Sequence, residues 1–245
     1  MNASPSVDLN ADVGEATEAD GIAVERELLN VVTSVNVACG GHAGDELSMR
    51  DTVEAACAHG VAVGAHPSYP DRLGFGRRPM DMGRAELEHS LREQMAALVE
   101  VCTAQGVRIR SVKAHGALYG VVGQGMDALG ALLAAVDATC APDTVLVLPA
   151  GSEAVGICRR AGRLVRQEGF CDRAYAADGT LVDRAVPGAV FTDPVQAARQ
   201  AVELAGGGQI DTLCIHGDSP GAVAMARAVR QALERAGMVI GPAAA

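Results

Sequence analysis

Residues 7–15 read Val-Asp-Leu-Asn-Ala-Asp-Val-Gly-Glu (VDLNADVGE), and this stretch decides the fold. Asp8, Asn10 and Asp12 alternate with Val7, Leu9, Ala11 and Val13, so a strand here carries all three polar side chains on one face. A strand buried on both sides should not carry such a row, because an unpaired buried carboxylate is costly. Two arrangements escape the conflict. Either the strand is an edge with a wet face, or its polar row lines a functional cavity, with Glu15 just beyond it. The rest of the chain favours the second.

Working outward, short β-branched runs recur at SVDLN (6–10), SVNVAC (34–39), GVAVGAH (60–66), RSVKAH (110–115), TVLVLP (144–149), RLVRQE (163–168) and DTLCIH (211–216). Longer segments with helical spacing of apolar residues lie between them, such as 46–60, 84–106 and 193–207. Gly60, Gly106 and Gly206 sit where such helices end, and glycine tolerates the left-handed turn that closes a helix. Alternating strands and helices imply parallel strands joined by right-handed crossovers. About seven such units predict an α/β chain folded as one irregular (β/α) TIM-like barrel over residues 1–245. A doubly wound open sheet is the alternative. Polar residues at the end of nearly every strand favour the barrel, because an open sheet concentrates them at one switch point.

Composition narrows the function classes. With no Trp, three Tyr and three Phe, the core must come from Ala, Val, Leu and Ile. A formal net charge of −10 argues against nucleic acid or an anionic membrane as partner. No apolar run approaches the roughly 18 residues of a membrane span, and the N-terminus lacks a basic stretch followed by an apolar one. The seven cysteines are odd in number, widely spaced and without C-x-x-C, which predicts reduced core thiols, Cys39 and Cys171 excepted as neighbours of polar motifs. These features together predict a cytoplasmic chain.

Four of the six histidines follow strands or the turns that leave them: His42 in VACGGHAGD, His66 in VAVGAHPSYPD, His115 in VKAHGALY and His216 in CIHGD. His59 and His89 fall within helical patterns, where solvated faces explain them. One strand-end histidine alone is an ordinary structural residue. Four at equivalent places converge on one barrel mouth, where barrel enzymes keep their catalytic groups. The candidate catalytic set is therefore Asp8, Asn10, Asp12, His42, His66, His115 and His216. Lys113, the only lysine, shares a face with His115 and needs an anionic partner if buried: Asp8, Asp12 or a substrate group.

Two loops add polar density. HPSYPDRLGFGRRPM (66–80) carries Asp71, Arg72, Arg77 and Arg78, and its Gly74-x-Gly76 lacks the third glycine of a dinucleotide fingerprint. QEGFCDRAYAADGTLVDRAVPGAV (167–190) carries Glu168, Asp172, Arg173, Tyr175 and Asp178, and is long for a βα connection. Lys113, Arg72, Asp45, Asp172 and Arg173 are the candidates for holding substrate. No H-E-x-x-H or similarly tight ligand spacing occurs, so a metal is left open.

The stretches DLNADVGE, VNVACGGHAGD, GAHPSYPDRLGFGRRPM, VKAHGALY, FCDRAYAADGTLVDR and IHGD, in that order from Asp8 to Asp218, resemble the LamB/YcsF family. The chain departs from the family pattern at Ala11, Ala114 and Cys171, where Cys, Pro and Ala are common. The resemblance implies a barrel like those of glycoside hydrolases and polysaccharide deacetylases. It also implies the A subunit of an ATP-dependent 5-oxoprolinase, working with subunits B and C to turn 5-oxoproline, water and ATP into glutamate, ADP and phosphate. The chain has no G-x-x-x-x-G-K-[ST], so ATP would be used together with those partners. A divalent cation and a homo-oligomer remain open, as do two rival functions: a metal-dependent deacetylase-like hydrolase, and a non-catalytic ligand-binding subunit.

Overall fold

In the computed structural model, which describes residues 6–219 and 221–242, the strand opening at Ser6 is no edge. β1 (Ser6–Val13) pairs in parallel with both β2 (Ser34–Ala38) and β7 (Thr212–His216). Between these, β3 (Ala62–His66), β4 (Ser111–Lys113), β5 (Val145–Pro149) and β6 (Val165–Phe170) follow in chain order and close a seven-stranded parallel barrel. Closure removes the open-sheet alternative. An eighth strand, β8 (Val239–Ile240), lies outside the ring beside Ser6 and Val7.

The crossovers are α1 (Ala19–Leu28), α2 (Glu46–Ala58), α3 (Arg84–Ala104), the pair α4 (Gly116–Gln124) and α5 (Met126–Thr139), α6 (Glu153–Arg160) and α7 (Pro194–Gly206). α8 (Ala222–Arg235) follows β7. Small residues let helices pack closely, as with the buried stripe of Ala197, Ala198, Ala201 and Ala205 on α7, whose main packing partner is α8. Leu and Val from helices and strands fill the space between the two layers: Leu9, Val35, Val63, Leu91, Leu98, Leu132 and Leu213 are all buried there. Among the described residues no single helix is long and apolar enough to cross a membrane, and the apolar pair α4–α5 is bent by 109°.

Three expectations shift locally. β6 begins two residues later than the RLVRQE run, because Gly162 closes α6 with a positive φ and residues 163–164 complete that turn. β4 stops at Lys113, and His115 instead caps α4. Gly206 stays inside α7, and Gly208 takes the left-handed conformation two residues on.

Gly116 pins the mouth of the barrel. Its φ is +58°, and an added Cβ would stand 2.4 Å from the carbonyl oxygen of Gly76. That oxygen accepts the Ala117 amide at 2.9 Å, which ties the 66–80 loop to α4. Gly116→Ala is expected to destabilise the chain by about 1–3 kcal/mol, since backbone rather than a flexible side chain must yield. Urea denaturation checks it, and an unchanged midpoint contradicts it.

Candidate functional site

The inward row of β1 is buried and enters a hydrogen-bond network inside the barrel, with Asp8 and Asn10 also bordering a small pocket shared with Arg110 and Arg166. Asp8 accepts from the hydroxyls of Thr33 (2.6 Å), Ser34 (2.7 Å) and Thr212 (2.6 Å). Burial pushes its carboxyl above the ordinary range, and the three hydroxyls only partly oppose that. Asn10 donates to Glu168 Oε1 and Thr212 Oγ1, and Asn36 bridges Asn10 Oδ1 and Asp12 Oδ1 at 2.8 and 2.9 Å. At about 3.3 Å of rise per residue, Asp8 lies roughly 13 Å from Asp12, towards the N-terminal end of the barrel. Asp8 and Asn10 thus join the interior plug, and only Asp12 of that row reaches the mouth.

At Asp12 the network becomes ionic. Lys113 Nζ stands 2.9 Å from Asp12 Oδ1, 2.9 Å from Glu168 Oε1 and 3.1 Å from Cys214 Sγ. The partner of the lone lysine is therefore Asp12, joined by Glu168, and Asp8 is not involved. Burial alone would neutralise the lysine, but the charge of Asp12, joined by that of Glu168, outweighs it and raises its pKa well above the ordinary value. Burial likewise opposes the Asp12 charge, and the neighbouring His66 and Lys113 overcome it, holding the carboxyl well below its usual range.

Above this ion network three histidines meet. His42 and His115 stack at 3.6 Å between centroids with their planes 3° apart, and His66 meets both edge-on. Glu15 Oε1 lies 2.8 Å from His42 Nε2, 3.3 Å from His115 Nδ1 and 3.9 Å from His66 Nε2. Burial, reinforced by the charge of Asp12, lifts the Glu15 carboxyl to about 7. Burial drives the His42 ring down to about 2 and the His115 ring far below its ordinary range, helped by the positive potential of His66. The Gly14 turn that aims Glu15 is held by Glu25, whose carboxylate accepts the amides of Gly14, Glu15 and Ala16 at 2.9–3.0 Å.

The fourth strand-end histidine forms a separate dyad. His216 Nδ1 lies 2.9 Å from Asp172 Oδ1, its amide donates to Asp172 Oδ2, and Ser219 Oγ adds a third bond. Phe170 stacks on the His216 ring at 5.3 Å and 11°. Burial pushes the Asp172 carboxyl up, but His216 and Ser219 outweigh it and hold it below its ordinary value of 3.8. Such a carboxyl stabilises the fold above its unfolded pKa and loses that contribution as pH falls through the folded one. The gap in Tm between the unaltered chain and Asp172→Asn should be full near neutrality and shrink below about pH 3.9. Melts at stepped pH check this, and a gap independent of pH contradicts it.

Other candidates have different occupations. Asp45 caps α2 in a reciprocal pair with Ser48. Arg72 donates to the carbonyls of Gly40 and Gly44, binding its loop to the β2–α2 turn. Arg78 pairs with Asp71, and Arg77 with Asp218 at 2.5 Å. Arg173 donates to the Val182 carbonyl while its buried Nε finds no partner among the described residues. His59 and His89 are exposed, His89 on α3 and His59 just past the end of α2, where its Nδ1 lies 2.8 Å from the Ala55 carbonyl oxygen. The cysteines are all free thiols, with Cys57 exposed and Cys140 half-buried rather than in the core.

Residue reasoning noted Glu15 beside the polar row and Glu168 in the 167–190 loop without counting either among the site residues, and it left out Asn36 and Cys214. Asn36 and Cys214 carried a usable signal, because each sits inside a β-branched run and in register with Asp12 or Asn10. The ligand-type atoms of Glu15, His42, His66 and His115 all lie within 4.8 Å of one another, and so do those of Asp12, Cys214 and His216.

Comparison with known proteins converges on one group. The family model described as LamB/YcsF family matches residues 7–245. A protein of Chloroflexus aggregans, named as the A subunit of 5-oxoprolinase, is 44% identical over 247 residues, covering 96% of this chain and 98% of that protein. The crystal structure of a lactam utilization protein from Thermus thermophilus superposes with a TM-score of 0.87 at 40% identity, over 96% of this chain and 99% of that one. A polysaccharide deacetylase of Bacillus cereus shares the barrel alone, with a TM-score of 0.54 and 12% identity over 98% of this chain and 91% of that one.

Proposed function

Because the chain belongs to the LamB/YcsF family, we propose that it is the hydrolytic subunit of an ATP-dependent 5-oxoprolinase, opening the lactam of 5-oxoproline to give glutamate. The observation that carries this is the likeness, over nearly the full length of both, to proteins named as the A subunit of that enzyme. A lettered subunit supports partner chains, here assigned as subunits B and C.

A five-membered lactam is a resonance-stabilised amide and a poor electrophile. Phosphorylation of its oxygen by ATP produces a far better one, and with no P-loop in this chain that step is assigned to the partners. This chain then delivers water. Asp172 holds the Nδ1 proton of His216, so Nε2 presents its lone pair as general base and later returns the proton to the leaving nitrogen, which leaves γ-glutamyl phosphate for a second water to split into glutamate and phosphate. Arg173, with its unpartnered Nε, holds the substrate carboxylate. Arg72 and Lys113 are committed to protein groups and shape the site without touching substrate.

Substrate choice tests this reading. With partner subunits and ATP, the chain should release glutamate from 5-oxoproline and no acetate from N-acetylglucosamine oligomers. Acetate release without ATP, and no glutamate, would replace the lactam with an acetylated sugar.

A further inference from the structure

Three arginines from two loops crowd one side of the barrel mouth around a single carboxylate. Arg77, in the loop that follows β3, donates to Asp218 Oδ2 at 2.5 Å. Arg184, in the 167–190 loop after β6, donates to the same oxygen at 3.2 Å. Asp218 itself lies two residues past His216, the last residue of β7. Arg173 stands close by: burial lowers its pKa, and the charges of Arg184 and Arg77 push the same way against Asp172. Guanidiniums held this near one another repel, and one shared carboxylate oxygen is little counter-charge for them.

The pairing is suited to exchange. The side chains of Arg77 and Asp218 are 39% and 34% exposed, and an ion pair that wet contributes little to stability. Among the described residues the bond to Asp218 is the one that each of Arg77 and Arg184 makes, although a guanidinium carries five N–H donors. A purely structural tie would set the planar fork of one arginine against both carboxylate oxygens, whereas here two arginines meet one oxygen. Phe75 keeps the Arg77 guanidinium 4.8 Å from its ring centre, so that charge stays at the mouth when Asp218 withdraws. Asp218 also lies between the two histidine centres, since its charge acts on Glu15 and the His216 ring acts on Asp218.

The lactam chemistry supplies an anion for this place. The carboxylate and the amide carbonyl of 5-oxoproline flank the same ring nitrogen, so phosphorylation of the carbonyl oxygen sets two anionic groups side by side. Arg173 is assigned to the carboxylate. A phosphoryl group next to it needs donors of its own within reach of His216, and guanidiniums match phosphoryl oxygens in charge and geometry. The same donors would serve γ-glutamyl phosphate until inorganic phosphate departs.

We propose that Arg77 and Arg184 form a phosphoryl-binding subsite at the barrel mouth, with Asp218 holding the place of the phosphoryl group until substrate arrives. The phosphoryl identity rests on the lactam reading, whereas the anion subsite rests on the geometry of the arginines.

The experiment is a calorimetric titration of the full chain, without partner subunits, with inorganic phosphate at fixed ionic strength and chloride as the blank. Saturable binding of one phosphate per chain is expected. Arg77→Gln and Arg184→Gln, each verified as folded by circular dichroism, should bind at least about tenfold more weakly. Asp218→Asn should bind about fivefold more tightly, because the competing carboxylate is gone. No gain there would overturn the place-holding role, since a merely structural tie predicts none. Arg235→Gln, at the exposed end of α8, should bind as the unaltered chain does. No saturable binding by the folded chain would overturn the subsite. Equal affinity in both arginine variants would overturn it too, as an adventitious ion only. Glutamate release by the assembled enzyme separates the two readings. Release without phosphate binding removes the subsite and keeps the lactam, and binding without release keeps the subsite and removes the lactam.

Discussion

Lys113→Met is expected to destabilise the protein by about 3–5 kcal/mol, a large share of the roughly 5–15 kcal/mol that holds a typical domain folded. Methionine keeps most of the stem, so little packing is lost. What disappears is the one ammonium that stands 2.9 Å from both Asp12 and Glu168 inside a closed barrel. Glu168 is then left buried without its counter-charge and Asp12 keeps only His66, 3.4 Å away, so the penalty is their desolvation rather than the loss of attraction alone. The physical cause is separable. Adding Asp12→Asn and Glu168→Gln to the same chain should recover a substantial part of the loss, because no net charge is then left inside. Urea denaturation of the two variants decides the matter. A loss below about 1 kcal/mol for the single variant, as at an exposed pair, would mean that water reaches the lysine and the ion network is not closed.

His216→Asn should show the opposite pattern, with a large kinetic effect and a small structural one. The ring is partly exposed, and its tie to Asp172 through the backbone amide survives the substitution. Stability should therefore change little. Glutamate formation by the assembled enzyme should fall by about 10²–10⁴-fold, the range that general acid–base catalysis supplies. The loss should appear in kcat more than in KM, since asparagine keeps the polarity of the site but offers no basic nitrogen. Unchanged kcat would move the base elsewhere, and the enclosed histidine cluster would be the next place to look.

How much of this was legible in the residues depends on how local each signal is. The period-two row of β1 shares one strand face, so its inward direction follows from sequence alone. His115, by contrast, lies past the end of β4 at the start of α4 and does not share a strand face with Lys113. All seven barrel strands carried compact β-branched runs, whereas β8 is two residues long and has no period to detect. The choice between a wet edge and a lined cavity went to neither extreme. Hydroxyl and amide groups of Thr33, Ser34, Asn36 and Thr212 satisfy the row from other strands, and no single stretch announces that. Asp172 and His216 were each identifiable, but as separate candidates; their pairing spans 44 positions and depends on closure of β6 beside β7. Asp45 and Arg72 looked like site residues because they flank His42 and His66 in polar motifs. The fold uses them instead to fix the turns that carry those histidines.

The most direct test of the account is a parallel time course of glutamate and ADP from 5-oxoproline and ATP, with the two partner subunits present and this chain either included or omitted. The account predicts that glutamate appears only when this chain is included, in step with ADP. Glutamate formed at the full rate by the partners alone would contradict it, because the ring would then be opened without the His216–Asp172 centre.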